Sequence, residues 1–298
     1  MTQPSREWTI ADVLRWAADD FRARGIESPR LDAELLLARA LGTTRIQLVV
    51  DARRTLSADE LARFREMVKR RRAHEPVSYI LGEREFWGRV FRVDRRVLVP
   101  RPDTETLVEA ALERTRYVSM SMRALDLCTG SGCVAITLAK ERPTSEVWAT
   151  DASEDALAVA RENALRLGAY NVALRAGDLY AACPARDGIA DASLRFDVIT
   201  SNPPYIARGE IASLQQDVRD FEPRLALEAG DDGLDVLRRV VAGAPAHLAA
   251  GGLLAVEVGA GQAPAVAELF RASGFDAIEL RRDYARIERV VSGVLPSC

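Results

Sequence analysis

The stretch A-L-D-L-C-T-G-S-G-C, Ala124 to Cys133, sets an apolar run against two glycines one residue apart, followed by a helical pattern. Gly130 and Gly132 give unhindered backbone where a strand turns into a helix. Alone, a G-x-G pair fits a structural tight turn as well as a ligand loop. Its meaning rests on what recurs along the chain. Short apolar strands at Ala124–Leu127, Val147–Thr150, Val172–Arg175, Phe196–Thr200 and Leu253–Val258 alternate with helical stretches. That alternation predicts an α/β fold, a parallel sheet covered on both faces with ligands outside the carboxyl ends of its strands. Ala277–Leu280 and Arg289–Val294, joined by a short polar segment, predict a hairpin at the sheet edge.

Toward the N-terminus the pattern changes. The first ~75 residues read as helices, with capping-box spacing at Thr9/Asp12 and Ser57/Glu60. Ser28-Pro29 reads as a cap before a first-turn proline, and Gly42 ends the apolar stripe of Leu31, Leu35, Leu36 and Ala40. After a turn at Gly82, E-F-W-G-R-V-F-R-V alternates as a two-stranded ribbon does. The expected organisation is an all-helical domain over residues 1–80, a connecting β-hairpin over 81–100 and the sheet domain over 101–298.

Composition bounds the function. The chain has 298 residues, 48% hydrophobic and 29% charged, as an ordinary soluble protein does. No apolar run approaches the roughly 18 to 20 residues that span a bilayer, and the N-terminus lacks a signal-peptide core, so the cytoplasm is the expected compartment. The four cysteines, Cys128, Cys133, Cys183 and Cys298, form no C-x-x-C pair, and with His74 and His247 they give no zinc spacing, so free, buried thiols and no metal are expected. The two histidines read as helix-surface residues. The net charge of −3 divides into 20 Lys and Arg against 15 Asp and Glu in residues 1–100, and 21 against 29 in the remainder. The basic run Lys69-Arg70-Arg71-Arg72 closes a helix, where cations suit the dipole; a solvated last turn and a polyanion-facing patch are both open.

Chemistry is expected at the strand ends. Strand two ends at Asp151, 21 residues after Gly130, where a carboxylate can accept bonds from both ribose hydroxyls of a nucleoside held over the glycine turn. Strand three ends G-D-L, where Asp178 can take the exocyclic amine of an adenine. Glycine turn, acid and acid on three successive strand ends make a nucleoside pocket. Ala135 stands where the dinucleotide fingerprint wants a third glycine, which the variant fingerprint tolerates, so this loop does not separate a dinucleotide from S-adenosylmethionine.

The fourth strand end separates them. It reads S-N-P-P-Y, Ser201 to Tyr205, and its prolines fix φ at two neighbouring positions and remove two backbone donors. An amide or aniline-like nitrogen is a poor nucleophile because its lone pair is delocalised. To accept a methyl group from a sulfonium it needs acceptors that hold its N–H bonds and aim it along the S–CH₃ axis. The Asn202 side-chain carbonyl and the Pro203 backbone carbonyl can do this, with bonds that strengthen as positive charge develops, and Tyr205 can stack on the planar group. A nicotinamide enzyme needs no such shelf.

Taken together, S-P-R-L-D-A-E-L-L-L, P-V-S-Y-I-L-G-E-R-E-F-W-G, V-L-V-P-R-P-D-T-E, D-L-C-T-G-S-G-C, S-N-P-P-Y-I and D-V-R-D-F-E-P-R-L-A-L, in this order over nearly the whole chain, resemble the HemK/PrmC family of protein-(glutamine-N5) methyltransferases. The resemblance implies a seven-stranded Rossmann-like class I methyltransferase sheet behind an N-terminal helical domain. It implies S-adenosyl-L-methionine as cofactor and, as substrate, the glutamine of the Gly-Gly-Gln loop of class I peptide chain release factors. Position by position it places Thr129, Gly130, Ser131 and Gly132 at the methionine side of the cofactor, Asp151 at its ribose, and Asn202, Pro203, Pro204 and Tyr205 at the glutamine amide, with Asn202 shared between cofactor and substrate. Three positions depart from the family's pattern: Cys128 stands where glycine is frequent in the first loop, Asp103 where glutamate is usual, and Leu179 where an aromatic residue can sit beside the adenine while Asp178 supplies an acceptor. Whether the P-R-P-D-T-E segment closes over the site is left open by the sequence, with Arg101 and Glu105 the residues to test.

Asn-Pro-Pro-Tyr is also found in N6-adenine and N2-guanine nucleic-acid methyltransferases, which bring a target-recognition domain and a basic face for phosphates. Residues 101–298 are net acidic, so no direct nucleic-acid partner is expected. A purely docking role for the helices leaves the nucleoside pocket without purpose.

Overall fold

The computed structural model describes residues 7–117, 121–183, 185–186, 189–190 and 194–297; Cys298 lies outside them. The chain divides into two compact units. One comprises the chain up to Gly82 together with Gln215–Phe221; the other comprises Glu83–Leu214 and Glu222 onward.

The first unit is helical. α1 (Ile10–Ala23) starts at a capping box in which the Thr9 hydroxyl accepts from the Asp12 amide and the Asp12 carboxylate takes the Thr9 amide. Its buried residues Ile10, Val13, Leu14, Ala17, Ala18 and Phe21 fall at the three- and four-residue spacing of one helical face. α2 (Pro29–Leu41), α3 (Arg45–Val50), α4 (Ala58–Arg72) and α5 (Val77–Leu81) follow, and α4 is capped reciprocally by Ser57 and Glu60. Leu36, Leu37, Leu48 and Phe64 are fully buried with Phe21, each contributing on the order of 2 kcal/mol.

Three expectations need correction here. Ser28 makes no side-chain cap, and Pro29 alone marks the start of α2. On α2 the buried positions are Asp32, Ala33, Leu36, Leu37, Ala38 and Ala40, so of the expected stripe Leu36 and Ala40 face inward, Leu35 is half-buried and Leu31 is exposed, because apolar residues occur all round this helix and the sequence leaves its inward face undetermined. The basic run is only partly solvated: Lys69 and Arg70 are exposed, whereas the rest is tied down by carboxylates of the same unit. Arg71 is buried, with its Nε 2.7 Å from Asp32; Arg72 pairs with Asp20 and lies over the Trp16 ring; Arg70 holds Glu75 with two hydrogen bonds. α9 (Gln216–Phe221) completes this unit, with Asp217 3.5 Å from Arg71 and Gln215 donating to Glu27.

The second unit opens with the ribbon β1 (Glu83–Phe86) and β2 (Arg89–Arg92). Trp87 and Gly88 between them both have positive φ, 51° and 65°, the requirement of a two-residue type I′ turn. Asn163, fully buried on α8 (Glu154–Leu167), brackets Arg92: its Oδ1 accepts the Arg92 amide and its Nδ2 donates to the Arg92 carbonyl and to that of Ser131.

The main sheet contains β3 (Arg123–Leu127), β4 (Glu146–Asp151), β5 (Val172–Ala176), β8 (Phe196–Ser201), β9 (Leu248–Glu257), β10 (Asp276–Arg282) and β11 (Glu288–Val294); β6 (Ala185–Arg186) and β7 (Ile189–Ala190) pair separately. The order is β10-β11-β9-β8-β3-β4-β5, parallel from β5 through β9 and antiparallel at the β9-β11-β10 edge. β9 starts five residues earlier than its apolar run, with an irregular register between the pairs Phe196↔Leu248 and Val198↔Leu253, and Gly251 there takes φ 75°. Successive residues alternate between two cores. Ala124, Val198 and Ala255 face α6 (Glu105–Arg114), α7 (Cys133–Glu141) and the ribbon's Phe86 and Phe91. Leu125, Ile199 and Leu254 face α10 (Asp235–Gly243) and α11 (Ala263–Ala272).

From β3 the chain winds to one side through β4 and β5 and then to the other through β8 and β9. The switch point, where a crevice must open, therefore lies between β3 and β8. Leu127 pairs with Ser201, so the two strands end level and their next residues, Cys128 and Asn202, emerge side by side.

Candidate active site

At the end of β3 the Asp126 carboxylate is buried and accepts from the Thr129 hydroxyl at 2.6 Å and the Thr200 hydroxyl at 2.8 Å. Burial pushes its pKa up to about 7 against those two bonds. The loop that follows takes positive φ at Cys128 (57°), Gly130 (55°) and Gly132 (81°). Cys128 thus occupies the left-handed conformation in which glycine is unstrained, which accounts physically for glycine being frequent there in the family it resembles. Burial pushes its thiol up to about 12, and the Cys133 thiol likewise.

The two glycines do different things. A Cβ on Gly130 would meet nothing within 4 Å, whereas one on Gly132 would lie 2.9 Å from Ile136 Cδ1 and 3.2 Å from Ala160 Cβ, where α7 starts against α8. Gly130 borders open space and Gly132 is a packing contact.

At the end of β4, Asp151 accepts the Gly130 amide through Oδ2 and the Ser153 amide through Oδ1, each at 2.9 Å. Burial raises its pKa against these amides. A carboxylate offers about four lone-pair positions, so both oxygens retain acceptor capacity. At the end of β5, Asp178 pairs with Arg239 at 2.6 Å, and Leu179 is buried with φ 50°.

At the end of β8, Asn202 donates its Nδ2 to the Thr104 hydroxyl at 3.1 Å, leaving Oδ1 available to accept. Pro203 is buried. Tyr205 is turned away: its hydroxyl donates to the buried Glu257 at the end of β9, its ring packs by Gly259, and its carbonyl takes Nε2 of Gln262 at 2.9 Å. Beyond it the chain is pinned by Ile206, which bonds through both backbone groups to Leu227 and Ala229. Arg101 reaches the buried Glu222 at 2.6 Å, joining the P-R-P-D-T-E and F-E-P segments.

These strand ends enclose a cavity of about 440 Å³, within the range of small-molecule sites. Of the residues expected from the sequence, Cys128, Thr129, Gly130, Ser131, Asp151, Asp178, Leu179, Asn202 and Pro204 line it; Gly132, Pro203 and Tyr205 do not. Sequence reasoning missed Thr104, Asp126 and Glu257. Glu257 left one signal, a carboxylate inside the apolar run Leu253–Val258; a lone threonine in Thr104 left none. His247 stacks on Tyr180 at 4.5 Å rather than lying on a helix surface.

A switch-point cavity with free glycine backbone, an acid with acceptor positions to spare and an outward amide carbonyl, on a seven-stranded sheet with one antiparallel edge, defines a class I S-adenosylmethionine-dependent methyltransferase. Residues 12–82 match the PrmC N-terminal domain and residues 103–218 the methyltransferase small domain. The chain is 43% identical over 293 residues to a release factor glutamine methyltransferase of Geobacter sulfurreducens, covering 98% of this chain and 99% of that protein. It is 46% identical over 288 residues to one of Cereibacter sphaeroides, covering 96% and 99%. The catalytic domain of hMettl16, solved with a MAT2A 3′UTR hairpin, shares the fold at 14% identity and TM-score 0.55, over 73% of this chain and 80% of that one. The chain belongs to the release factor glutamine methyltransferase family.

Proposed function

We propose that this protein transfers a methyl group from S-adenosyl-L-methionine to the side-chain N5 of the glutamine in the Gly-Gly-Gln loop of class I peptide chain release factors, in the cytoplasm and without contacting nucleic acid. The observation that carries the chemistry is the Asn202 amide, whose Nδ2 is engaged by Thr104 while its carbonyl stays available beside Pro203. The residues present fit the cofactor: Gly130 leaves room for close approach, Asp151 has acceptor positions for a ribose, and the volume suits a nucleoside with its side chain.

When bound, the cofactor supplies an electrophilic methyl on a sulfonium that leaves as a neutral thioether. The chain's part is positioning and electrostatics. Asn202 Oδ1 and the Pro203 carbonyl accept the two N–H bonds of the substrate amide, setting its nitrogen in line with the methyl and stabilising the positive charge that develops on it. One N–H proton then passes to water, so no residue need act as general base. Thr129, Ser131 and the backbone around Cys128 and Gly132 shape the methionine side, and Asp178 and Leu179 the adenine side. Pro204 closes the shelf. Tyr205 braces it from behind through Glu257 and Gln262 rather than stacking on the substrate. The helical unit recognises the body of the release factor.

The test is transfer of labelled methyl to purified release factor, to the same factor with its loop glutamine replaced, and to nucleic acid. Label confined to the unaltered factor is expected. Label on nucleic acid, or undiminished label on the glutamine variant, overturns the reading.

A further inference from the structure

Three segments border the shelf side of the cavity, and all three belong to the sheet unit: residues 100–104, the shelf at 202–206, and residues 222–229. Arg101 and Thr104 line the cavity from the first, Asn202 and Pro204 from the second, Pro223 and Leu225 from the third. Leu225 is also 63% exposed, so the cavity meets solvent at this wall.

Each segment is bonded to the next. Asn202 donates its Nδ2 to the Thr104 hydroxyl at 3.1 Å, which joins the shelf to the first segment. The Ile206 amide donates to the Leu227 carbonyl and the Ala229 amide to the Ile206 carbonyl, each at 2.9 Å, which joins the shelf to the third. Arg101 donates to Glu222 at 2.6 Å, which joins the first to the third. The path from Asn202 through Thr104, Arg101, Glu222, Leu227 and Ile206, and back along the shelf, is therefore a closed ring. Pro100, Pro102, Pro203, Pro204 and Pro223 fix φ along these segments and stiffen them. Arg101–Glu222 is the ionic joint, with the carboxylate side chain 1% exposed and the guanidinium 35%. Removing one partner of such a pair leaves a charge without its counterion.

We propose that this ring is the frame through which the substrate glutamine reaches Asn202, and that Arg101 and Glu222 are positioning residues that hold its width. This rests on the methyl-transfer reading above. The glutamine side chain passes through the frame while its neighbours in the substrate loop stay at the rim. A side chain on the preceding residue meets the frame there, whereas glycine brings no Cβ. The frame thus selects for glycine before the glutamine. Gly130 and Asp151, which face the cofactor, lie on other strand ends and form no part of the ring.

The experiment compares Glu222→Gln, Arg101→Met and the double variant with the unaltered protein. It measures kcat and KM on release factor and on release factor whose glycine before the glutamine is replaced by alanine, together with the dissociation constant of S-adenosylmethionine and the thermal midpoint. Opening the frame should lower kcat/KM on the unaltered factor about 10-fold or more, as small misplacements of a bound substrate do, with cofactor affinity changed less than about 3-fold. The unaltered protein should methylate the alanine factor about 10-fold or more less efficiently than the glycine factor, and that ratio should shrink in every variant. The double variant leaves no stranded charge and should be no slower than the slower single one. A glycine-to-alanine ratio that is the same in all four proteins overturns the frame, as does a kcat/KM that falls only in step with the thermal midpoint and cofactor affinity. Losses that multiply in the double variant overturn the pairing of the two residues. If the unaltered protein leaves the glutamine unlabelled, the function reading fails instead.

Discussion

Replacing Gly132 and Gly130 singly by alanine should give opposite defects. Both glycines have φ in the left-handed region, so alanine at either costs about 1–2 kcal/mol of backbone strain. At Gly132 the added methyl also meets Ile136 Cδ1 at 2.9 Å and Ala160 Cβ at 3.2 Å, and Ala160 cannot swing aside because its Cβ is fixed to helix α8. Overpacking of that kind costs a further ~1–3 kcal/mol. In urea unfolding Gly132→Ala should therefore be less stable than Gly130→Ala by that increment, with both still folded, since domains carry about 5–15 kcal/mol. Calorimetric titration with S-adenosylmethionine should show the reverse order. Gly130 lines the cavity and its methyl would project into space where the ligand lies, so it should weaken binding more than Gly132, which lies outside the lining. Equal losses of stability together with equal losses of affinity would refute the division of labour between the two glycines.

Three further outcomes are expected. Asn202→Ala should lower turnover by ~10² or more, as removal of an oxyanion-type group does, with cofactor affinity changed only a few-fold in a binding titration. Asp126 and Glu257, each pushed up to about 7 by burial, bind a proton more tightly in the folded chain than their ordinary values of 3.8 and 4.5 allow unfolded. Stability should thus fall as pH rises from about 5 to about 7 and level off above, and Asp126→Asn should flatten part of that slope in urea unfolding. Asp32→Ala removes the nearer of the two carboxylates beside the buried Arg71, leaving Asp217 at 3.5 Å, and should cost up to ~3–5 kcal/mol, whereas the double variant Asp32→Ala with Arg71→Leu should recover a large part, read from denaturant midpoints.

The sheet was legible because its signals are local. The apolar run, the glycine pair after the first strand, the acids Asp151 and Asp178 after the second and third and the Asn202–Tyr205 stretch after the fourth each lie within a few residues of the strand they end. The residues that orient the site were not legible because their partners are remote in sequence. Asn202 meets Thr104 across 98 residues and Tyr205 meets Glu257 across 52, and no period or motif links such positions. The basic run misled for the same reason: cations at a helix C-terminus are common on local grounds, but Arg71 and Arg72 find Asp32 and Asp20, 39 and 52 residues earlier. Tyr205 shows a further limit. Its place in the motif is plain from sequence, whereas the direction of its ring depends on Glu257 and Gln262.

The helical unit's last piece, Gln215–Phe221, is encoded beyond two thirds of the chain. Domains usually form in order as they leave the ribosome, but here the carboxylate of Asp217, beside the buried Arg71, arrives only after four of the seven sheet strands have been made. The N-terminal helices must therefore wait, incomplete, through most of synthesis. A fragment ending at Gly82 would represent that waiting state and not the mature unit, so separating the two halves of this protein for study calls for supplying the later segment as well.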